Sequence, residues 1–192
     1  PAQLARFGGW SEAVYRDLLA LESGKMEESE FQAKYGRTAA ILQLDMTGMT
    51  AMTIQGGALF AFRRILNAHK VCAPVLTQFG ATHIRTFADD FTAIFDQPGA
   101  ALNAAFEIHR RMEAFNATTA SRDQRVQCCI GLGYGNVFRI GLDGAMGDEM
   151  NRASKLGEDT AKGGETLLTE QFEEQVRGRP GCLFERVAHS EL

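Results

Sequence analysis

The apolar positions of the chain change period several times, and each change marks an element. From Ser11, "SEAVYRDLLALE" sets Val14, Leu18 and Leu21 on one helical face, with Ser11 as cap and Gly24 as stop. Residues 27–35 predict a second, more charged helix that ends at Gly36. These helices make an N-terminal extension, residues 1–36, ahead of a domain over 37–192. "TAAILQLDMTG" lacks helical spacing and reads as a fully buried strand, yet it ends on a carboxylate, Asp45. Helical period returns from Gly57 to Phe79, with Leu59, Phe62, Ile65, Leu66 and Val75 as the apolar stripe. Pro74 is expected to bend or divide that helix.

Beyond Gly80, "THIRTFADDFTAIFD" predicts two short strands hinged at Asp89 and Asp90, and Pro98 opens the helix "PGAALNAAFEIHRRMEAFNAT". "RVQCCIGLGYGNVFRIGL" reads as strand, glycine turn and strand. A helix over "GDEMNRASKLGEDTAK", a strand at "ETLLT", a helix at "EQFEEQVRG" and a last strand at "CLFERVA" follow. The order β, α, ββ, α, ββ, α, β, α, β points to an α/β sheet with helices packed on it, of the split βαβ or ferredoxin-like class.

Composition narrows the function more than the fold. The chain has 192 residues, 45% of them hydrophobic and 23% charged, which suits one well-buried domain. A net charge of −4 supplies no basic surface for nucleic acid or for an anionic membrane, so neither is expected as a partner. No long apolar run and no signal layout occur, so the segment reads as soluble and cytoplasmic. Cys72, Cys128, Cys129 and Cys182 form no CxxC pair, and the four histidines lack ligand spacing, so reduced thiols are expected and zinc is not.

The chemistry concentrates on the aspartates. In a ferredoxin-like sheet the first strand pairs with the following hairpin, which brings Asp45 toward the Asp89–Asp90 tip. Like charges crowded together raise a pKa unless a cation lies between them, and oxygen-only ligation suits magnesium or manganese. Turn chemistry at the hairpin is the competing reading. Adjacent strand residues face opposite ways, so at most one of Asp89 and Asp90 shares a face with Asp45, and the bend leaves open which. Residues 46–50, "MTGMT", can aim backbone N–H groups at a phosphate, although any strand-to-helix turn uses similar residues. "GLGYG" is no dinucleotide fingerprint, because a strand and not a helix follows it.

Three stretches in order, "ILQLDMTGMTAM", "IRTFADDFTAIF" and "MGDEMNRASKLGEDTAKGGETLLT", resemble the catalytic domain of class III nucleotidyl cyclases, the adenylate and guanylate cyclase family, over about residues 37–187. The resemblance implies that family's ferredoxin-like fold, a central mixed or antiparallel sheet with flanking helices. It implies a lyase of cyclic-nucleotide signalling that takes ATP, ahead of GTP, to the 3′,5′-cyclic nucleotide and pyrophosphate. Two Mg²⁺ or Mn²⁺ ions per site are implied, on Asp45, Asp89 and the backbone carbonyl of Met46, with phosphate cradled by Thr47, Gly48, Met49 and Thr50. Head-to-tail homodimerisation is implied as well, with Asn151 orienting the ribose and Lys155 stabilising phosphate charge from the other subunit.

The chain departs from the family at several of these positions. Lys155 stands where the family has arginine and lacks its planar fork. Base recognition falls on Arg85 and Gly144, with Asp143 beside it, an unusual set because arginine cannot accept a hydrogen bond and glycine offers only backbone. Ala88 replaces a glycine, which a β conformation tolerates. The expected C-terminal lysine-glycine stretch does not appear, so the chain is expected to be part of a longer one with a further regulatory or effector domain. The alternative is a degenerate cyclase-homology module that binds nucleotide or dimerises for regulation. A polymerase-like or diguanylate cyclase palm shares the two-metal logic but would need a "GGDEF"-like hairpin.

Overall fold

The computed structural model describes residues 1–119, 124–140 and 145–187. Its centre is β1 (Gly36–Met46), paired antiparallel with β3 (Asp90–Phe95) on one side and β4 (Cys128–Arg139) on the other. Outside β3 lies β2 (His83–Phe87); outside β4 lie the two-residue β5 (Ala145–Met146) and, in parallel, β6 (Thr166–Leu168). The expected mixed sheet with flanking helices is what forms.

The two faces of the sheet differ. Leu42, Leu44 and Met46 of β1, Phe91, Ala93 and Phe95 of β3, and Ile130 and Leu132 of β4 point into the main core. Across it lie α5 (Ala58–Gln78), α6 (Pro98–Thr118) and α8 (Glu170–Val176). The opposite face carries Ala39, Ile41, Ile94 and Val137, covered by Ala153 of α7 (Asp148–Lys155). A π-helical turn, Leu156–Thr160, continues α7. Side-chain alternation therefore turns Gln43 and Asp45 toward the α7 face.

Two strand expectations fail here. "GLGYG" is no turn: β4 runs unbroken through it. Gly131, Gly133 and Gly135 recur with period two and lie under α7. A Cβ would sit 1.9 Å from the Ala153 carbonyl oxygen at Gly131, 2.8 Å from the Glu149 carbonyl oxygen at Gly133 and 2.5 Å from Glu149 Cγ at Gly135. Absent side chains, and not backbone freedom, are what the helix requires. The second failure is "CLFERVA": its described part, 182–187, forms no strand, and Leu183 is almost fully exposed.

In α5 Pro74 is accommodated without dividing the helix. Its buried side is Ala61, Arg64, Ala68, Val71, Cys72, Val75 and Leu76, whereas Leu59, Phe62 and Leu66 of the expected stripe are exposed. Three helices precede the sheet: α1 (Ala2–Gly8), α2 (Glu12–Glu22) and α3 (Glu28–Tyr35). Val14 and Phe31 form a small core with Ile140, joined by Phe138, so α2 and α3 dock on the far end of β4. Buried Asp17 of α2 accepts hydrogen bonds from Lys34 and Tyr35 of α3 and clips the two helices together.

Candidate active site

Asp45 and Asp90 meet where β1 and β3 leave the sheet. The last ladder pair is Leu44 with Phe91, and continuing that register sets Asp45 opposite Asp90, on one face. Asp90 is thus the carboxylate that faces Asp45, while Asp89 occupies the hairpin turn and acts on both through its charge. Parity alone left the choice open and the resemblance implied Asp89, but the register sets Asp90 on the Asp45 face, with Asp89 in the turn between the strands. The turn is Phe87 to Asp90 with Ala88 at φ 52°, the left-handed region and not the β conformation expected of it. A residue without a Cβ would meet no strain there.

Electrostatically the cluster is unsatisfied. Burial is the largest cause that drives the Asp45 carboxyl up, to about 7, followed by its interaction with Asp90 and by the charges of Asp90, Asp89 and Glu158. Asp90 is also raised, chiefly by burial, with Asp89 and Glu158 adding to the effect. At neutral pH the pair therefore holds a shared proton or requires an external cation. Glu158 was missed in the sequence because it lies 113 positions from Asp45 and on the π-helical turn.

The turn after β1 contributes less backbone than its sequence promises. The Thr47 N–H donates to the Gln127 carbonyl at 2.9 Å, and the Thr47 hydroxyl contacts the Cys129 thiol at 3.6 Å. Gly48 adopts φ 76° and leads into α4 (Met49–Gly56), whose first turn has no side-chain cap. The amides of Met49 and Thr50 thus remain for a ligand, beside the end of the Asp45 strand. Met49 itself is buried in the core.

Arg85 pairs with Thr92 across β2 and β3, so it shares the face of Gln43 and Asp45 and is exposed. Asp143 and Gly144 lie outside the described residues. Asn151 and Lys155 stand one turn apart on the exposed side of α7 and line a recess of about 240 Å³ with Asp148 and Arg152. None of the carboxylates at the strand ends lines that recess. A second cavity, about 770 Å³ between β6, α8 and residues 183–187, contains none of the predicted site residues.

The donor set fits a hard divalent cation: two facing carboxylates at adjacent strand ends with a third in the turn beside them, while burial raises the Cys129 thiol across the ladder from Asp45, away from the thiolate a soft site needs. Magnesium binds through one or two carboxylates plus substrate phosphates, which suits a cluster where, among the described residues, no three acidic, histidine or cysteine side chains form a cage. Among the described residues no helix is long and apolar enough to cross a membrane.

Solved structures that share this fold are nucleotidyl cyclases. No family model and no curated protein matches the sequence. An adenylate/guanylate cyclase/hydrolase from Silicibacter pomeroyi is 27% identical, with a TM-score of 0.69 over 80% of this chain and 87% of its own. The guanylate cyclase domain of RhGC from Catenaria anguillulae in complex with GTP is 18% identical, with a TM-score of 0.63 over 73% and 82%. The adenylyl cyclase CyaB from P. aeruginosa is 16% identical, with a TM-score of 0.63 over 73% and 81%. The chain carries the class III adenylate and guanylate cyclase catalytic fold.

Proposed function

We propose that the protein is a nucleotidyl cyclase that converts ATP, ahead of GTP, to the 3′,5′-cyclic nucleotide and pyrophosphate at sites shared across a homodimer. The observation that carries this reading is the facing of Asp45 and Asp90, an acidic pair under electrostatic strain within a cyclase fold. Asp45, the tip carboxylates Asp89 and Asp90 and the Met46 carbonyl hold Mg²⁺ or Mn²⁺. When bound, the ions favour ionisation of the ribose 3′-hydroxyl and neutralise charge on the triphosphate. The free amides of Met49 and Thr50 receive phosphate, with Gly48 allowing close approach.

In this reading the site is shared: α7 of one subunit, whose exposed side carries Asn151 and Lys155, serves the carboxylates of its partner. There Asn151 orients the ribose and Lys155 places positive charge on the reacting phosphate. Arg85, exposed on the same sheet face, donates to the base. In this reading the domain produces a cyclic nucleotide signal.

Complementation tests the whole arrangement. Asp45→Ala and Asn151→Ala proteins are each inactive with ATP or GTP and Mn²⁺, and mixing them restores one intact site per mixed dimer. Activity that survives Asp45→Ala alone, or no product from a dimeric wild-type protein with either nucleotide, defeats the reading and favours a regulatory module.

A further inference from the structure

Gln43 is a polar side chain, 9% exposed, on the central strand, between Ile41 and Asp45 on one face. Its two ends are engaged in one direction. The Thr92 hydroxyl donates to Gln43 Oε1 at 2.6 Å, Gln43 Nε2 donates to the Ser154 hydroxyl at 3.2 Å, and Ser154 donates to Glu158 at 2.8 Å. Every donor points toward the Glu158 carboxylate, so each bond polarises the next and the amide has one productive orientation.

The backbone is close-packed at the same place. A Cβ on Gly157 would lie 3.1 Å from the Gln43 carbonyl oxygen and 3.0 Å from the Gly131 N. The π-helical turn brings Glu158 back over Ser154, and its charge reaches Asp45 and Asp90. One side chain therefore ties β1, β3 and the end of α7 together, two residues from Asp45 on the same strand face.

We propose that Gln43 is a positioning residue: through Ser154 and Glu158 it holds α7, and with it Asn151 and Lys155, in register with the strand that bears Asp45. The inference rests on the cyclase reading above. In a shared-site dimer the Asp45 and the α7 of one protomer serve different sites, so Gln43 also links the two sites mechanically.

Mixed dimers separate this role from simple destabilisation. Gln43→Met, which conserves volume, is placed either in the Asp45→Ala subunit, whose contribution to the intact site is α7, or in the Asn151→Ala subunit, which contributes the carboxylates. In the first placement kcat falls about tenfold with KM within about twofold, and in the second the loss stays below about threefold. Ser154→Ala reproduces the asymmetry, and Ser154→Thr, which keeps the hydroxyl, restores kcat. Equal losses in both placements, or none, overturn the proposal. Failure of the parent mixture to regain activity counts against the shared-site cyclase reading instead. Hydrogen exchange on the undivided protein then judges Gln43 alone. Gln43→Met speeds amide exchange over residues 148–158 about tenfold while β1 and β4 keep their rates, and unchanged exchange in α7 overturns the proposal.

Discussion

Replacing Asp90 with asparagine should flatten the pH dependence of stability that the carboxylate pair imposes. In the folded protein Asp45 is raised from 3.8 to about 7, so its contribution to stability is fully present below its unfolded pKa and is lost as pH rises through about 7. A rise of that size sets a ceiling of about 4 kcal/mol. Asp45 is only half-buried, and solvent screening brings the expected loss to about 1–2 kcal/mol. For a chain of this size that corresponds to a melting temperature lower by ~5 °C near pH 8 than near pH 5. Asparagine removes the neighbouring negative charge and offers an N–H to Asp45 but leaves its burial, the largest cause, in place, so the slope becomes shallower without vanishing.

Thermal denaturation of both proteins in chelator-treated buffer between pH 5 and 8.5 measures the effect as a difference. The difference also cancels Asp17 and Glu107, whose carboxyls are held low by hydrogen bonds from Lys34 and from Arg110 and Arg111, and whose stability is lost as pH falls. Parallel curves for wild type and Asp90→Asn, or an Asp45 resonance that titrates near 4 in wild type, would refute the reasoning. Mn²⁺ should raise the wild-type melting temperature more at pH 8 than at pH 6, because the cation competes with the shared proton.

Three other outcomes follow from the same structure. Ala88→Gly relieves a left-handed alanine costing about 1–2 kcal/mol but loosens the unfolded chain, for a net gain of about 0.5 kcal/mol in denaturant titration; a loss would contradict the turn geometry. Gly131→Ala drives a methyl into the Ala153 carbonyl and should cost about 3 kcal/mol, with α7 amides losing exchange protection first; a neutral substitution would show that α7 does not pack there. Lys155→Arg restores a planar two-pronged donor on α7 and should raise kcat several-fold in the cyclase assay at unchanged stability, and an unaltered kcat would remove Lys155 from the reacting phosphate.

Much of the domain is legible along the chain because its signals are local. Continuous burial in "AAILQL" marks a central strand, Pro98 and Gly80 mark helix margins, and the three cyclase-like stretches carry the carboxylates, the turn after them and α7. Errors fall where local rules are ambiguous. Glycines at 131, 133 and 135 satisfy both a turn and a strand face, and their period of two was the signal pointing to a strand. The stripe on α5 was misassigned because Leu59, Phe62 and Leu66 keep helical spacing but lie on the side away from the core.

By itself the sequence determined the element order, the carboxylates and their approximate meeting place, since these follow from periodicity and turn chemistry over a few residues at a time. Only the tertiary structure decided that Asp90 and not Asp89 faces Asp45, because a left-handed Ala88 sets the phase of the hairpin. Tertiary packing alone also brought Glu158 toward the pair and joined Thr92, Gln43 and Ser154 into one chain. Those residues lie up to 115 positions from one another, and no local pattern encodes a contact made by packing a helix on glycines.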